Sequence, residues 1–360
     1  MPHERFMRAA IKLAKKGVGR TSPNPAVGAV IVKDNKVISE GYHRKAGLPH
    51  AEAVAISELG KGGKGATLYV TLEPCCHFGR TPPCTDAIIS AGIKKVVIGM
   101  QDPNTLVCGK GTEILRASGI EVITGVLEEE CKRLNEPYLK YITTKTPFVI
   151  LKLASTLDGK IATSAGESKW ITGVDARKLV HKTRSLTDAV MVGSGTVLKD
   201  DPELTVRLVK GRNPKRVVVD SSFQSPLNAN IFRQKGTIVF TTPAASEKKI
   251  DEALRMGVEV VVLPASKDGV DLKRVLKELG KREVTSLLVE GGSRLAASLL
   301  KKGLVDRINL YMAPMLIGGD GLSSIGELGI KDLGKAPKLD KISVKRVGND
   351  MLIEGNLLKN

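Results

Sequence analysis

At 360 residues the chain is longer than one hydrophobic core usually supports, so two domains are expected. Its formal charge of +18 divides into +7 for residues 1–145 and +11 for the rest, without a block of lysines or arginines, and aromatic residues make up only 3%. These features argue against a nucleic-acid partner. A solvated basic surface is the simpler interpretation of the charge, and binding of small phosphate-bearing molecules is the more specific one. No apolar run reaches the length of a membrane span and no signal peptide begins the chain, so a cytosolic protein without a membrane partner is expected.

The first part of the chain alternates predicted helices and strands, as in an α/β domain. In chain order the pattern predicts a helix over 4–16, a hairpin of strands 26–32 and 36–42, a helix starting at Pro49, a strand over 67–72, a helix after Cys84, a strand over 95–99, a helix over 111–117, a strand over 121–124 and one last helix over 127–141. The composition changes near residue 145, which predicts domains 1–145 and 146–360.

The second part of the chain again alternates strands and helices. Strands are predicted over 148–153, 189–193, 216–220, 237–241, 258–263, 286–290, 307–313, 341–346 and 351–357. Helices are predicted before Arg184, where Asp175 is expected to be the N-cap, over 247–256 and 271–280, and up to Leu300. This order favours a mostly parallel sheet with an antiparallel edge.

One stretch of the first domain has the residues of a catalytic metal site. His50 is followed by Glu52, and Pro74-Cys75 is followed by Cys84. One histidine and two thiolates supply three ligands for zinc and leave a fourth position open, and a nearby carboxylate can move protons. The pattern is typical of zinc-dependent nucleobase deaminases. Spacing alone allows Cys75, Cys76 or His77 to be the second ligand.

The other cysteines and histidines of the first domain have simpler interpretations. Cys108 and Cys131 are expected to be packing residues, and His43 is expected to form a local hydrogen bond. Arg80 lies in the long segment between Cys75 and Cys84, where it either meets a substrate phosphate or faces solvent. All five cysteines precede residue 145, so metal chemistry is expected in the first domain only.

Glycines after two strands of the second domain indicate a nucleotide site, although each signal is weak by itself. They are Gly193-Ser194-Gly195 and Gly291-Gly292. The complete glycine fingerprint of the common dinucleotide-binding fold is missing after the first strand, which argues against that fold.

These residues resemble one family, the bifunctional deaminase/reductase of riboflavin biosynthesis. The resemblance in the first domain rests on His50 to Glu52, Pro74 to Cys84, Ser22 to Gly28, Asp102 to Asn104 and Gly109 to Gly111. It implies a cytidine-deaminase-like domain with zinc ligands His50, Cys75 and Cys84 and Glu52 as the proton shuttle. It also implies pyrimidine contacts from Asn24, His43, Arg80, Asp102 and Asn104. Cys76 departs from the serine usual in the family.

In the second domain the resemblance includes Ser155 to Ala162, Gly166 to Ser168, Thr196 to Pro202 and Glu290 to Gly292. It implies a dihydrofolate-reductase-like fold that uses NADPH. Residues implied to contact NADPH are Ala154, Trp170, Thr196, Asp200, Ser221, Gly292, Ser293, Arg294, Leu295, Ala296, Ala297 and Ser298. Residues implied to contact the ribosyl phosphate substrate are Ser168, Arg184, Leu204, Arg207 and Glu290. As the chain's one tryptophan, Trp170 could instead be a core residue.

The resemblance implies two successive reactions on one riboflavin precursor, a phosphorylated pyrimidine. The first is hydrolytic deamination of the ring. The second is reduction of the ribosyl group to ribityl by NADPH, for which Asp200 and Glu290 are the nearest carboxylates. Association into a homo-oligomer is also expected. The alternative, an enzyme that edits bases in nucleic acid, shares the histidine–glutamate motif but does not explain the second domain.

Overall fold

The computed structural model describes residues 2–78 and 82–358. The chain forms two compact units, Met1–Lys145 and Thr146–Asn360. Both units contain a sheet flanked by helices, so the predicted α/β class is confirmed. No helix in the described part of the chain is long and apolar enough to cross a membrane.

The first unit contains five strands and six helices in its described residues. The strands are β1 (Gly28–Lys33), β2 (Lys36–Tyr42), β3 (Thr67–Leu72), β4 (Lys95–Met100) and β5 (Glu121–Ile123). The helices are α1 (Pro2–Ala14), α2 (Ala51–Leu59), α3 (Cys84–Ser90), α4 (Lys110–Ala117), α5 (Glu128–Leu134) and α6 (Glu136–Thr144). The sheet order is β2-β1-β3-β4-β5, in which β1 is antiparallel to β2 and β3, and β3, β4 and β5 are parallel.

Local sequence explains how this sheet is closed and covered. Asp34 and Asn35 both have positive φ, as a two-residue hairpin turn requires, and they join β1 to β2. A side chain at Gly28 would lie 2.1 Å from the Ala10 carbonyl oxygen, and one at Gly41 would lie 2.4 Å from that of Ala51. The two glycines therefore allow α1 and α2 to pack with their backbones directly against the sheet.

Two predictions about the last helix and the cysteines of the first unit are wrong. The last predicted helix is two helices, because Pro137 cannot donate to the carbonyl of the preceding turn and the chain breaks at Asn135. The Asn135 amide then bonds both backbone groups of Ala26, with distances of 2.8 and 3.0 Å. Cys108 is exposed rather than packed, whereas Cys131 is buried as predicted.

In its described residues the second unit contains one nine-stranded sheet and two sheets of two strands each, thirteen strands altogether. Its strands are β6 (Phe148–Thr156), β7 (Lys160–Ala162), β8 (Ala189–Gly193), β9 (Lys215–Val219), β10 (Thr237–Thr241), β11 (Glu259–Val262), β12 (Ala265–Ser266), β13 (Gly269–Val270), β14 (Ser286–Val289), β15 (Arg307–Ala313), β16 (Leu322–Ser323), β17 (Leu339–Val347) and β18 (Asp350–Leu357). Its helices are α7 (Val174–Leu186), α8 (Ser194–Asp200), α9 (Glu247–Arg255), α10 (Leu272–Lys281) and α11 (Ser293–Lys301).

The large sheet has the order β11-β10-β9-β8-β14-β6-β15-β18-β17. Strands β11 to β15 in this order are parallel, and β18 and β17 continue the sheet antiparallel, so the predicted antiparallel edge is confirmed. Apolar side chains fill both faces of the parallel part, as expected for a sheet covered on both sides. This arrangement brings the carboxyl ends of neighbouring strands to one edge.

The N-cap predicted for α7 is wrong. The helix begins at Val174 and its N-cap is Gly173, so Asp175 lies inside the first turn. The carboxylate of Asp350, which is distant in sequence, accepts a hydrogen bond of 2.7 Å from the Gly173 N–H. A distant segment therefore binds the N–H of the N-cap residue, while the N-cap itself has no side chain to bond the first turn.

Candidate active sites

Three potential metal ligands meet in the first unit. His50 Nδ1 lies 3.5 Å from Cys75 Sγ and 3.3 Å from Cys84 Sγ. All three ligand atoms lie within 4.8 Å of one another. Tetrahedral zinc with ordinary Zn–N and Zn–S bonds would separate a nitrogen and a sulfur ligand by about 3.6 Å. The donor set and its spacing therefore fit one zinc ion.

Local structure explains why these three side chains converge. Cys75 follows the carboxyl end of β3, His50 is the N-cap of α2, and Cys84 is the first residue of α3. The prediction placed His50 inside its helix, but its backbone is extended and the helix begins at Ala51. Partial positive charge at both helix N-termini favours thiolates between them.

The two thiols share their protons unequally. A hydrogen bond from the Cys84 thiol lowers the pKa of Cys75, with further help from His50 and the Cys84 N–H. The same hydrogen bond, together with burial, raises the pKa of Cys84. Cys75 is therefore the more acidic of the two thiols, and metal binding would also displace the proton of Cys84.

Glu52 lies in the first turn of α2, immediately beside this cluster. Its side chain is buried, with 3% of the residue exposed. Burial raises the pKa of Glu52 to about 7, the negative charge of Cys75 adds to the effect, and His50 opposes it. A carboxyl group with a pKa near neutrality can both accept and release a proton in a reaction.

The neighbours of Cys75 lie away from the cluster. Cys76 Sγ is 3.7 Å from the carbonyl oxygen of Leu106, to which it donates. Among the described residues the metal-binding cluster contains neither Cys76 nor His77. The alternatives that spacing left open for the second ligand therefore have less geometric support than Cys75.

Asn24 and His43, two expected pyrimidine contacts, lie next to the ligands. The His43 ring is buried and packs edge-on against the His50 ring at 5.3 Å. Its Nδ1 donates to the Pro49 carbonyl oxygen at 3.1 Å, which leaves Nε2 to accept from the Asn24 amide at 3.2 Å. The local hydrogen bond predicted for His43 is confirmed, and burial lowers its pKa.

Asp102 and Asn104, two further expected contacts, lie in the loop after β4. The Asp102 carboxylate accepts hydrogen bonds from the Tyr138 hydroxyl at 2.9 and 3.1 Å and from the Asn104 N–H at 2.9 Å. Burial raises the pKa of Asp102. Arg80, the remaining expected contact, lies outside the described residues.

The expected NADPH contacts in the second unit come from four adjacent parallel strands, β9, β8, β14 and β6. Ser221 follows β9, Thr196 lies in α8 after β8, Gly292 follows β14, and Ala154 lies near the end of β6. The Gly292 N–H donates to Thr196 Oγ1 at 3.3 Å. Ligands of open α/β sheets bind at this edge, beyond the carboxyl ends of the strands.

The start of α11 has the chemistry of a phosphate site. Its N-cap is Gly292, which has no side chain to bond the free N–H groups of the first turn. Such N–H groups, together with the helix dipole, favour an anion such as the diphosphate of NADPH. Ser293 also borders a cleft of about 620 Å³ that includes Thr163 and Lys199.

The expected cofactor segment from Gly292 to Ser298 does not face this cleft uniformly. Ala296 and Ala297 are buried, and Leu295 also packs against the core. The side chain of Arg294 is exposed. Contacts with a cofactor at this place would therefore come mainly from backbone groups and from the first residues of the helix.

Trp170 is a surface residue, so its alternative interpretation as a core residue is wrong. The residue is 66% exposed, and the Arg177 guanidinium covers one ring face at 4.1 Å from the ring centre. The open face is suited to stacking with a flat ring.

Two other expected contact residues lie at or near the surface. Ser168, two residues before Trp170, is half-buried, and Asp200 is exposed at the end of α8.

The central charged group of the second unit is an ion pair between Arg184 and Glu290. Arg184 Nε donates to Oε1 at 2.5 Å and Nη2 to Oε2 at 2.9 Å, and Nη1 donates to the Thr205 carbonyl oxygen at 3.0 Å. Burial alone would raise the pKa of Glu290, but Arg184 and Lys152 hold it below its ordinary value.

Sequence reasoning did not assign Lys152, which lies in β6 beside this ion pair. Burial lowers the pKa of Lys152, the positive charge of Arg184 lowers it further, and Glu290 opposes both. An amine with a lowered pKa releases its proton more readily than an ordinary lysine. The signal that could have found it is a lysine within an otherwise apolar strand.

Leu204 and Arg207 lie in the segment that Arg184 contacts through Thr205. Leu204 is buried with a positive φ of 55°, and the Arg207 side chain is 49% exposed beside Glu203. His181 Nδ1 accepts the Arg207 N–H at 2.9 Å. Burial lowers the pKa of His181 to about 4, and Arg184 and Arg207 contribute to the shift.

Family models match both units. The model of the cytidine and deoxycytidylate deaminase zinc-binding region matches residues 1–100, and that of the RibD C-terminal domain matches residues 147–353. Riboflavin biosynthesis protein RibD of Aquifex aeolicus is 48% identical over 349 residues, which cover 97% of this chain and 96% of the relative. The Escherichia coli RibD is 41% identical over 98% of this chain and 99% of the relative.

Solved structures agree with the sequence relatives. Acinetobacter baumannii RibD is similar with a TM-score of 0.90 at 38% identity, covering 99% of both chains. A diaminohydroxyphosphoribosylaminopyrimidine deaminase/5-amino-6-(5-phosphoribosylamino)uracil reductase from Thermotoga maritima gives 0.88 at 45% identity, again covering 99% of both chains.

Fold, site and matches define a two-domain enzyme in which a cytidine-deaminase-like zinc domain is joined to a dihydrofolate-reductase-like domain. Its cofactors are zinc and NADPH, and its substrates are nucleotide-like pyrimidines. The chain belongs to the RibD family and carries out a deamination and a reduction in riboflavin biosynthesis.

Proposed function

We propose that the first unit hydrolyses the amino group of a diaminopyrimidine ribosyl phosphate, with His50, Cys75 and Cys84 as zinc ligands and Glu52 as proton shuttle. The observation that carries this assignment is the convergence of three ligand atoms within 4.8 Å beside a buried carboxyl group. Zinc, when bound, supplies a water acidic enough to react near neutral pH. Glu52 would take up the proton released when water adds to the ring carbon and would deliver it to the leaving nitrogen, so that ammonia departs and a ring carbonyl forms.

The pyrimidine would be held by residues already fixed around the ligands. Asn24 and His43 face the His50 side of the cluster, and Asp102 and Asn104 belong to the loop after β4. His43 has one ring nitrogen committed to Pro49, so its tautomer is set before substrate binds. We expect these contacts to orient the ring and to exclude competing water.

The metal assignment is tested with Cys84→Ala. The variant should lose the approximately one zinc per chain expected for the wild type, because two ligands rarely hold a catalytic zinc. Cys76→Ala is the matched control and should keep its zinc. Equal zinc content in Cys84→Ala and the wild type, measured by elemental analysis, would contradict the assignment.

We further propose that the second unit reduces the ribosyl group of the deaminated product to ribityl. NADPH, when bound, would supply the hydride for C1 of the sugar in its open, imine-like form. Lys152 is placed to supply the proton for the sugar nitrogen, because it is buried beside Glu290 and has a lowered pKa. Arg184 holds Glu290, and the more exposed Arg207 is the better placed of the two arginines to meet the phosphate.

The phosphate assignment is tested by comparing phosphorylated and dephosphorylated substrate in the reductase assay. Arg207→Gln should raise KM for the phosphorylated substrate by about 10-fold or more, since a charge-assisted contact is worth roughly 1.5–3 kcal/mol. The dephosphorylated substrate should show little difference between variant and wild type. An equal rise in KM for both substrates would exclude Arg207 as the phosphate contact.

Association into a homo-oligomer stays a prediction, and so does a cytosolic location.

One surface on which chains could associate is strand β17, which lies at the edge of the large sheet and exposes Ile342 and Val344. Apolar edge strands are usually covered by another chain or element. Sedimentation of the wild type beside Val344→Lys tests whether chains associate through this edge.

A further inference from the structure

Glu73 is a buried carboxylate without an assigned role. It follows β3 and directly precedes Pro74-Cys75, and only 3% of the residue is exposed. Its Oε2 accepts the N–H groups of Asp102 at 3.3 Å and Gly109 at 3.0 Å, and its Oε1 accepts the N–H of Thr112 at 3.0 Å. One side chain therefore bonds backbone groups 29, 36 and 39 residues further along the chain.

These donors belong to two neighbouring pieces of structure. Asp102 begins the loop that also carries Asn104, and Thr112 lies in the first turn of α4. The N-cap of α4 is Gly109, which cannot cap the helix with a side chain, so the Glu73 carboxylate takes this role from outside. A side chain at Gly111 would lie 2.2 Å from the Pro74 carbonyl oxygen, which shows how closely the two segments approach.

Asp102 is consequently fixed on two sides. Its N–H is bonded to Glu73, and its carboxylate accepts the Tyr138 hydroxyl. Glu73 thus connects the segment that carries Cys75 to the loop that carries Asp102 and Asn104. A buried carboxylate that accepts three N–H groups leaves little freedom to the segments that donate them.

We propose that Glu73 is a positioning residue of the deaminase, which holds the loop from Asp102 to Asn104 in the conformation that binds the pyrimidine. This inference rests on the proposed function, in which Asp102 and Asn104 contact the substrate. Glu73 touches no reacting atom and acts through the loop. Its loss should weaken substrate binding while the zinc ligands stay in place.

The test substitutes Glu73→Gln in the full-length zinc enzyme. Glutamine keeps one oxygen but turns an NH₂ group toward backbone donors, so at least one hydrogen bond to the loop or to α4 is lost. The expected result is a KM for the diaminopyrimidine ribosyl phosphate raised about 10- to 100-fold, with kcat changed much less. Zinc content and the reductase kinetics should match those of the wild type.

Glu113→Gln is the matched control, because Glu113 is an exposed acidic residue in the same first turn of α4. It should leave KM unchanged. Should Glu73→Gln fail to fold, Glu73→Asp keeps the charge but shortens the side chain by one methylene and is expected to raise KM in the same way. An unchanged KM in either folded variant, or loss of zinc together with kcat, would overturn the positioning role.

Asp102→Asn separates this inference from the proposed function. If Asp102→Asn leaves KM unchanged, the substrate contact itself is wrong. If Asp102→Asn raises KM and Glu73→Gln does not, only the role of Glu73 is wrong. When both are right, the double variant should raise KM by less than the product of the two single effects, because both changes act on one loop.

Discussion

The proposed active sites of the two units consist of different kinds of chemical groups. In the first unit, one histidine, two cysteines and one glutamate lie together, and each supplies chemistry that few other side chains can. In the second unit, the proposed site is spread over the ends of four parallel strands and includes the N-terminus of α11 and one buried ion pair. We therefore expect single substitutions at the metal cluster to abolish the first activity, whereas substitutions in the second unit should act in proportion to the contact removed, most severely at the buried ion pair.

The largest effect is expected for Glu52→Gln. The amide cannot shuttle a proton, so kcat for ammonia release should fall by about 10²- to 10⁴-fold. Zinc content should be unchanged, because the amide replaces a group that is not a ligand. The reductase, assayed with the deaminated substrate, serves as the internal control. Ammonia release at the wild-type rate would remove Glu52 from the mechanism.

Arg184→Met should have the largest effect on the second unit. It leaves Glu290 buried without its partner, which costs about 3–5 kcal/mol of stability and should abolish the reductase. Lys345→Met, at the exposed ion pair with Glu354, is the control and should cost less than about 1 kcal/mol. Thermal unfolding measures the loss of stability in both variants. If ammonia release disappears together with the reductase, the two sites are less independent than this comparison holds.

The pH dependence of stability should depend on His181. Because folding lowers its pKa from 6.5 to about 4, the unfolded chain binds a proton between these pH values that the folded chain does not. Stability is therefore lost as pH falls through this window, by roughly 3 kcal/mol at most at 1.36 kcal/mol per pKa unit. His181→Gln should lose less stability between pH 7 and 4.5 in denaturant unfolding, and parallel curves would refute the shift.

The smallest effect is expected for Trp170→Ala. A stacking contact with a flat ring is worth about 0.5–1.5 kcal/mol, so KM for NADPH should rise by roughly 2- to 12-fold with kcat nearly unchanged. Leu198→Ala, another exposed apolar residue, provides a control. Should both variants have the KM of the wild type, Trp170 does not contact the cofactor.

The sequence could predict the features that depend on residue type and on local pattern. Residue type and spacing were enough to identify the metal cluster and its carboxyl group, because this combination is typical of catalytic zinc sites. The residues are His50, Glu52, Cys75 and Cys84. The hairpin at Asp34 and the parallel sheet followed from local turn chemistry and from the alternation of strands and helices.

Contacts between distant segments could not be predicted in this way. The residue types of the donors do not indicate the bonds from their N–H groups to Glu73. Asp350 binds the N–H of Gly173, the N-cap of α7, although Asp175 is the local candidate for a cap. Arg184 and Glu290 are 106 residues apart, and their pairing depends on the order of the strands. The apolar periodicity also did not predict the break between α5 and α6 at Asn135. There, Pro137 and the hydrogen bond between the Asn135 side chain and Ala26 outweigh helix propensity.

We propose that one chain carries two separate sites that act in sequence. The most direct measurement follows ammonia and NADPH with purified protein and diaminopyrimidine ribosyl phosphate. Ammonia should be released without NADPH, and NADPH added afterwards should be oxidised in an amount equal to the ammonia already formed. Glu52→Gln should oxidise NADPH only when the deaminated substrate is supplied. NADPH oxidation by Glu52→Gln with the diaminopyrimidine itself, or ammonia release that requires NADPH, would contradict the account.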